Sequence, residues 1–147
     1  RFAILKKNAE QWQAESSNTI TCINAAASDE EDRSHSPDII FFTTGTQISG
    51  GLFSVKERSD DYAPIKVPLL CVDDFFAPGV KTFVKIDVEG GELNVLKGID
   101  FSRYKIKFIV VETRSLIRIV QFLSEYGYFV RAQLSVHDFL FERRRYI

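Results

Sequence analysis

The chain has 147 residues, of which 45% are hydrophobic and 27% charged, the size and balance of one globular domain with a buried core. A net charge of −1 and a pI near 6.2 exclude the basic field that draws a protein to nucleic acid or anionic lipid, so neither is expected as a partner. Two cysteines, Cys22 and Cys71, are too few for a disulfide framework or a four-cysteine zinc site and read as belonging to a reducing, cytoplasmic compartment.

Phe2, Leu5, Ala9 and Trp12 recur at near-helical spacing, with Lys6, Lys7, Glu10 and Gln13 between them. This predicts an amphipathic helix lying on a sheet, with Trp12 in the core. Residues 19–26 carry the β-branched Thr19, Ile20, Thr21 and Ile23 and read as a strand. The run from Ser28 to Asp32 that follows reads as a solvated acidic loop rather than a cation site. Residues 39–44 and 65–72 are strand-like, joined through a stretch rich in Gly, Ser and charge, a hairpin-like excursion. From Phe83 the chain changes character. Residues 83–88 read as a strand, Gly90-Gly91 as a turn, and residues 92–97 as a short helix closed by Gly98. Residues 106–111 are a near-continuous apolar run, as in a buried parallel strand. Leu116, Ile119, Val120, Leu123 and Tyr126 then mark a helix stopped by Gly127. Residues 128–134 and 139–141 close the chain as a strand pair. The alternation predicts one α/β domain over residues 1–147, a mainly parallel sheet with an antiparallel edge strand.

No stretch approaches the roughly 18 apolar residues of a membrane span, and no signal-peptide pattern opens the chain. The sequence holds no methionine and opens on Arg1 inside a helical pattern, so it reads as a piece of a longer frame, incomplete at its N-terminus.

In open α/β sheets ligands bind beyond the carboxyl ends of the strands. Those ends are acidic here: Asp87 and Glu89 close one core strand and Glu112 the next, so three carboxylates are expected at one rim. If the chain stays extended from Asp87 to Glu89, their spacing puts both on one face, able to share a proton, a metal or a substrate hydroxyl. The competing reading has them capping backbone N–H groups at a strand-to-helix turn. Glu92, in the first helical turn, is favoured by the helix dipole and reads as structural.

The run from Phe83 through Lys85-Ile86-Asp87-Val88-Glu89-Gly90-Gly91-Glu92 to Leu96-Lys97-Gly98 resembles, without a gap, the central signature of the FkbM methyltransferases. Other positions agree in order. Leu5-Lys6-Lys7-Asn8 resembles the helix before the family's third strand, and Asn24-Ala25-Ala26-Ala27-Ser28-Asp29 its N-A-A-x-S-D stretch. Cys71-Val72-Asp73-Asp74-Phe75 resembles its L-D-D-F segment, and Val110-Val111-Glu112-Thr113 the end of its next strand. The resemblance implies a Rossmann-like fold and S-adenosylmethionine-dependent methyl transfer to a hydroxyl of a sugar or other small natural-product-like acceptor. It places Asp87 and Glu89 near the methyl group and the acceptor, where a carboxylate could orient or deprotonate the hydroxyl or hold a divalent cation. By the same analogy Asn24 and Ala25 lie near the adenine edge, Asp87 also touches the cofactor, and Glu112 lines the acceptor pocket. The family's first strand, glycine-rich loop and ribose-binding acid have no counterpart here, so these residues alone are expected to bind cofactor poorly.

The rival reading is a non-catalytic, degenerate methyltransferase-fold module that works as an interaction surface or homo-oligomer, and the intact carboxylates speak against it. A nicotinamide-dependent enzyme would need a dinucleotide fingerprint that is absent. His137 reads as a surface histidine, with acceptor binding the lesser alternative, and Arg143-Arg144-Arg145 as a solvated tail. A sheet missing its first strands would leave an apolar edge and a helix face uncovered, so the isolated chain is expected to dimerise or aggregate.

Overall fold

The computed structural model describes residues 2–16, 19–43, 63–88 and 90–144. The opening helix α1 (Phe2–Ala14) forms where its periodicity predicts it, but Ala9 is its one buried residue. Ile4, Leu5 and Trp12 are 65%, 55% and 63% exposed, so the expected core role of Trp12 is corrected. Periodicity gathers an apolar stripe on one face, yet it cannot supply the surface on which that stripe rests.

Of the strand expected over residues 19–26, the ladder takes in only β1 (Ala26–Ala27), parallel to β3 (Ala63–Leu70) with Ala26 opposite Leu69. The acidic run expected to be a loop instead starts helix α2 (Glu30–His35). Asp29 caps it, accepting the Asp32 N–H at 2.8 Å. Glu30, Glu31 and Asp32 occupy the first turn and Arg33 and His35 the last, the charge order that the helix dipole favours. The strand β2 (Asp38–Thr43) runs antiparallel to β3, as the hairpin-like excursion predicts, and the segment that links them lies outside the described residues. A 3-10 turn, Val72–Phe75, follows β3.

The second half matches its expected elements closely: β4 (Thr82–Ile86), α3 (Glu92–Lys97), β5 (Ile106–Glu112), α4 (Leu116–Ser124), β6 (Tyr128–Gln133) and β7 (Asp138–Arg143). Their arrangement differs from the expected single, mainly parallel sheet. The strands form two sheets, ordered β1-β3-β2 and β4-β5-β7-β6. Parallel pairing is confined to β1 with β3 and β4 with β5, whereas β2–β3, β5–β7 and β6–β7 are antiparallel. The β4–β5 crossover carries α3, as parallel neighbours require. The closing strands pair as expected, but β7 enters between β5 and β6 and leaves β6 at the edge. The result is a mixed α/β fold.

Its core lies under the second sheet. Leu96 of α3, Ile106, Ile109 and Val111 of β5, Ile119 and Leu123 of α4, and Phe141 of β7 are essentially inaccessible to solvent. Phe101 stacks with Tyr126 at 4.7 Å and meets Tyr128 edge-on at 5.6 Å. The buried Tyr128 hydroxyl donates to the Ile106 carbonyl at 2.7 Å, which satisfies a polar group that would otherwise be costly inside the core. Two glycines end the helices for different reasons. Gly127 has φ +81, a left-handed conformation that suits a residue without Cβ. Gly98 has φ −76, which any residue tolerates. What demands glycine there is proximity, because an added Cβ would clash with the Ser28 carbonyl oxygen and lie 3.1 Å from its carbon. Since Ser28 N–H is held by the Leu70 carbonyl at 2.9 Å, this contact docks the end of α3 against the first sheet.

Candidate active site

Parallel pairing sets β4 and β5 side by side with Ile86 opposite Val111, so Asp87 and Glu112 leave the sheet at the same rim. On β7, Asp138 pairs across from Glu112. Lys85 knits this rim: its ammonium lies 3.2 Å from Asp87 and 3.7 Å from Asp138. The hydrogen bond to Asp87, with the charges of Asp87, Asp138 and Glu112 behind it, raises the Lys85 pKa and keeps it cationic. The rim is therefore a cluster of carboxylates around one cation. The expected third carboxylate, Glu89, lies outside the described residues, and with it the Asp87–Glu89 pairing.

The two described carboxylates open onto different spaces. Asp87 borders a cleft of about 290 Å³ with Ala27, Val72 and Val88, whereas Glu112 lines a cavity of about 170 Å³ with Thr113, Arg114, Ser115, Arg118 and His137. Between them, Gly90 takes φ +111, so the turn from β4 into α3 uses a glycine as predicted. Its N–H is received at 2.5 Å by the buried carboxylate of Glu92, which gives Glu92 a structural bond at this turn. Asp87 is bonded instead to Lys85, so the capping reading does not describe it. At the end of β5, the buried Thr113 donates its N–H to the His137 carbonyl at 2.8 Å. Its hydroxyl accepts the Ser115 N–H at 3.0 Å, which starts α4 over the cavity.

Ala25 lines a third and larger cleft of about 640 Å³, walled by Ala26, Ala27, Val67, Leu69 and Val88, with Gly91 and Asn94 at the start of α3. Asn24, expected beside it, is exposed and does not line this cleft. The Asn94 amide donates to Asp32 at 2.8 Å, and the Ser28 hydroxyl donates to the same Asp32 oxygen at 2.5 Å. Asp32, seen from the sequence as part of a solvated loop, thus ties α2 to α3 across the cleft. Sequence reasoning also missed Lys85, Asp138, Arg114 and Arg118. Lys85 was legible in principle from alternation, since it shares a strand face with Asp87, whereas the approach of Asp138 depends on where β7 inserts. Among the described residues no three His, Cys, Asp or Glu side chains converge as cation ligands, and no helix is long and apolar enough to cross a membrane.

Comparison with curated proteins and with solved structures finds no match. Among protein families, the methyltransferase FkbM domain matches residues 5–130, a span that takes in the β4–α3 motif with Asp87 and Glu112. The chain belongs to the FkbM methyltransferase family.

Proposed function

We propose that the protein is an S-adenosylmethionine-dependent O-methyltransferase of Rossmann-like fold whose acceptor is a hydroxyl of a sugar or another small natural product. The observation that carries this reading is the acidic rim, where the parallel neighbours β4 and β5 end in Asp87 and Glu112 above the family's central motif. When bound, S-adenosylmethionine supplies an electrophilic methyl group. The chain has room for such a ligand: the cleft at Ala25 is small-molecule sized, with apolar walls, the small side chains of Ala25, Ala26 and Ala27, and polar groups on Ser28 and Asn94. In this reading Ala25 borders the adenine, with Asn24 at the exposed edge next to it, while Asp87 and Glu89 orient the acceptor hydroxyl or take its proton. Glu112 lines the acceptor side. Lys85, 3.2 Å from Asp87, holds that carboxylate in place at the rim.

Calorimetric titration of S-adenosylhomocysteine into the protein tests the donor half of the reading, and methyl transfer by Asp87→Ala and Glu89→Ala the chemical half. Weak heat of binding by these residues alone, strong heat once the family's first strand and glycine-rich loop are supplied, and a loss of turnover of about 10²–10⁴-fold in the variants of that longer protein are expected. Absence of binding with those elements supplied would remove the reading. A second reading, a non-catalytic module that self-associates, draws on the exposed apolar residues of α1 and on Phe83 of β4, 61% exposed. It requires a dimer by size exclusion and no S-adenosylhomocysteine binding.

A further inference from the structure

The side chain of Lys85 crosses a whole strand. It stands on β4, yet its ammonium lies 3.2 Å from Asp87 and 3.7 Å from Asp138 of β7, and β5 runs between those two strands. Lys85 pairs with Val110 of β5 and Val110 with Leu140 of β7, so the stem passes over an apolar rung on its way. The two carboxylates that share the ammonium are held unequally. Among the described residues Asp87 has one side-chain hydrogen bond, from Lys85, and its side chain is 46% exposed. Asp138 is 26% exposed and closes the β6–β7 turn: its carboxylate accepts the Ser135 hydroxyl at 2.6 Å, and the Ser135 oxygen accepts the N–H groups of His137 and Asp138 at 3.2 and 3.1 Å. The Asp138 carbonyl also receives the Leu134 N–H at 2.8 Å. Order therefore passes from the turn to the rim, from Ser135 to Asp138 to Lys85 to Asp87. Half-exposed ion pairs add little to stability, and a lysine stem loses much rotamer freedom when it is held. The use of a second carboxylate on one ammonium is accordingly geometric.

We propose that Asp138 is a positioning residue for methyl transfer: braced by Ser135, it anchors the Lys85 ammonium across β5 and so fixes the direction in which the Asp87 carboxylate meets the acceptor hydroxyl. This role rests on the methyl-transfer reading. Asp138 takes no proton and touches no substrate; it acts only through Lys85. Glu112, paired with Asp138 across the β5–β7 ladder, adds its charge to the field that keeps the ammonium protonated. A turn remote in sequence from the β4–α3 motif thereby sets the geometry of a residue within it. A shift of roughly 1 Å in a reacting group costs on the order of 10²-fold in rate, so a brace of this kind matters to turnover far more than to folding.

The test is a double-mutant cycle with two readouts. Asp138→Asn keeps an oxygen for Ser135 and removes the charge that faces Lys85. In the isotope-labelled protein, followed by NMR, it should speed hydrogen exchange of the Lys85 ammonium severalfold and move the carboxyl carbon signal of Asp87, with the urea midpoint nearly unchanged. Against a Lys85→Gln background the same substitution should leave the Asp87 signal where it was, the non-additivity expected of residues that act in series. Ser135→Ala should reproduce part of the Asp138→Asn effect. In the methyl-transfer assay that compares Asp87→Ala with wild type, Asp138→Asn should lower kcat by about 10–10²-fold and leave the KM for S-adenosylmethionine unchanged. An Asp87 signal that stays put in Asp138→Asn, effects that add in the double variant, or a kcat equal to that of wild type overturns the proposal. If S-adenosylhomocysteine fails to bind the longer protein, or Asp87→Ala transfers methyl groups as fast as wild type does, the methyl-transfer reading falls instead, and the NMR cycle still decides whether Asp138 positions Asp87.

Discussion

Replacing Gly98 by alanine tests how the two sheets are held together. The backbone at Gly98, with φ −76, accepts alanine without strain, and restricting the unfolded chain would by itself stabilise the protein by about 0.4–1 kcal/mol. Against this, the new Cβ would run into the Ser28 carbonyl oxygen and crowd the Ser28 carbon and Asp29 Cα at 3.1 and 3.3 Å. Those are backbone atoms, and they cannot swing away as a side chain would. The Ser28 N–H is fixed to Leu70, and Asp29 caps α2. Overpacking of this kind costs about 1–3 kcal/mol, so the net loss should be about 1–2 kcal/mol. Urea unfolding followed by circular dichroism reads it as a lower midpoint at unchanged slope. The same displacement should loosen the cleft between Ala27 and Asn94 and weaken S-adenosylhomocysteine binding. A Gly98→Ala protein as stable as wild type, or more so, would refute the close approach of α3 to the first sheet.

Tyr128→Phe should cost about 0.5–1.5 kcal/mol by orphaning the buried Ile106 carbonyl, measurable in the same denaturation experiment. Asp29→Ala removes the α2 cap and should cost about 1 kcal/mol, with a matching rise in hydrogen exchange over residues 30–35. Burial pushes the Cys71 thiol up to about 11 from an ordinary 9.0, so the folded chain keeps a proton that the unfolded chain gives up between those pH values. Stability should therefore fall as pH rises through that window, and Cys71→Ala should flatten the slope. Cys22, half-buried and also a free thiol, should react with a maleimide at pH 8 well before Cys71 does, as mass spectrometry would show.

The elements from β4 onward were legible because β4 and β5 are compact apolar runs and glycines punctuate the chain after β4, α3 and α4. Residues 92–97 were bracketed by Gly91 and Gly98 on both sides. Where β7 goes was not legible, since a strand's sequence sets its two faces but not its lateral neighbours. For the same reason the approach of Asp138 to Lys85 had no sequence signal, while the placement of Asp87 and Glu112 on one rim did. The segment 28–32 misled because acidity was read as solvation. The pattern that would have corrected it was present in Asp29 followed by Glu30, Glu31 and Asp32 and then Arg33, a capped first turn with its charges in dipole order. Trp12 misled differently, since helical spacing predicts a face and says nothing of a partner.

The seating of β7 between β5 and β6 also dictates an order of assembly during synthesis. A ribosome releases β4, α3, β5, α4 and β6 before it releases residues 138–143, so β5 waits with one side unpaired although every earlier element of its layer has already emerged. Phe141, fully buried, and Phe139, also in the core, are then the last to arrive, and the sheet can close only when they do. Until that moment the nascent chain exposes a hydrophobic strand edge of the kind that chaperones bind. A pause in translation just ahead of Asp138 would prolong that exposure, whereas one after Arg143 has cleared the exit tunnel would not.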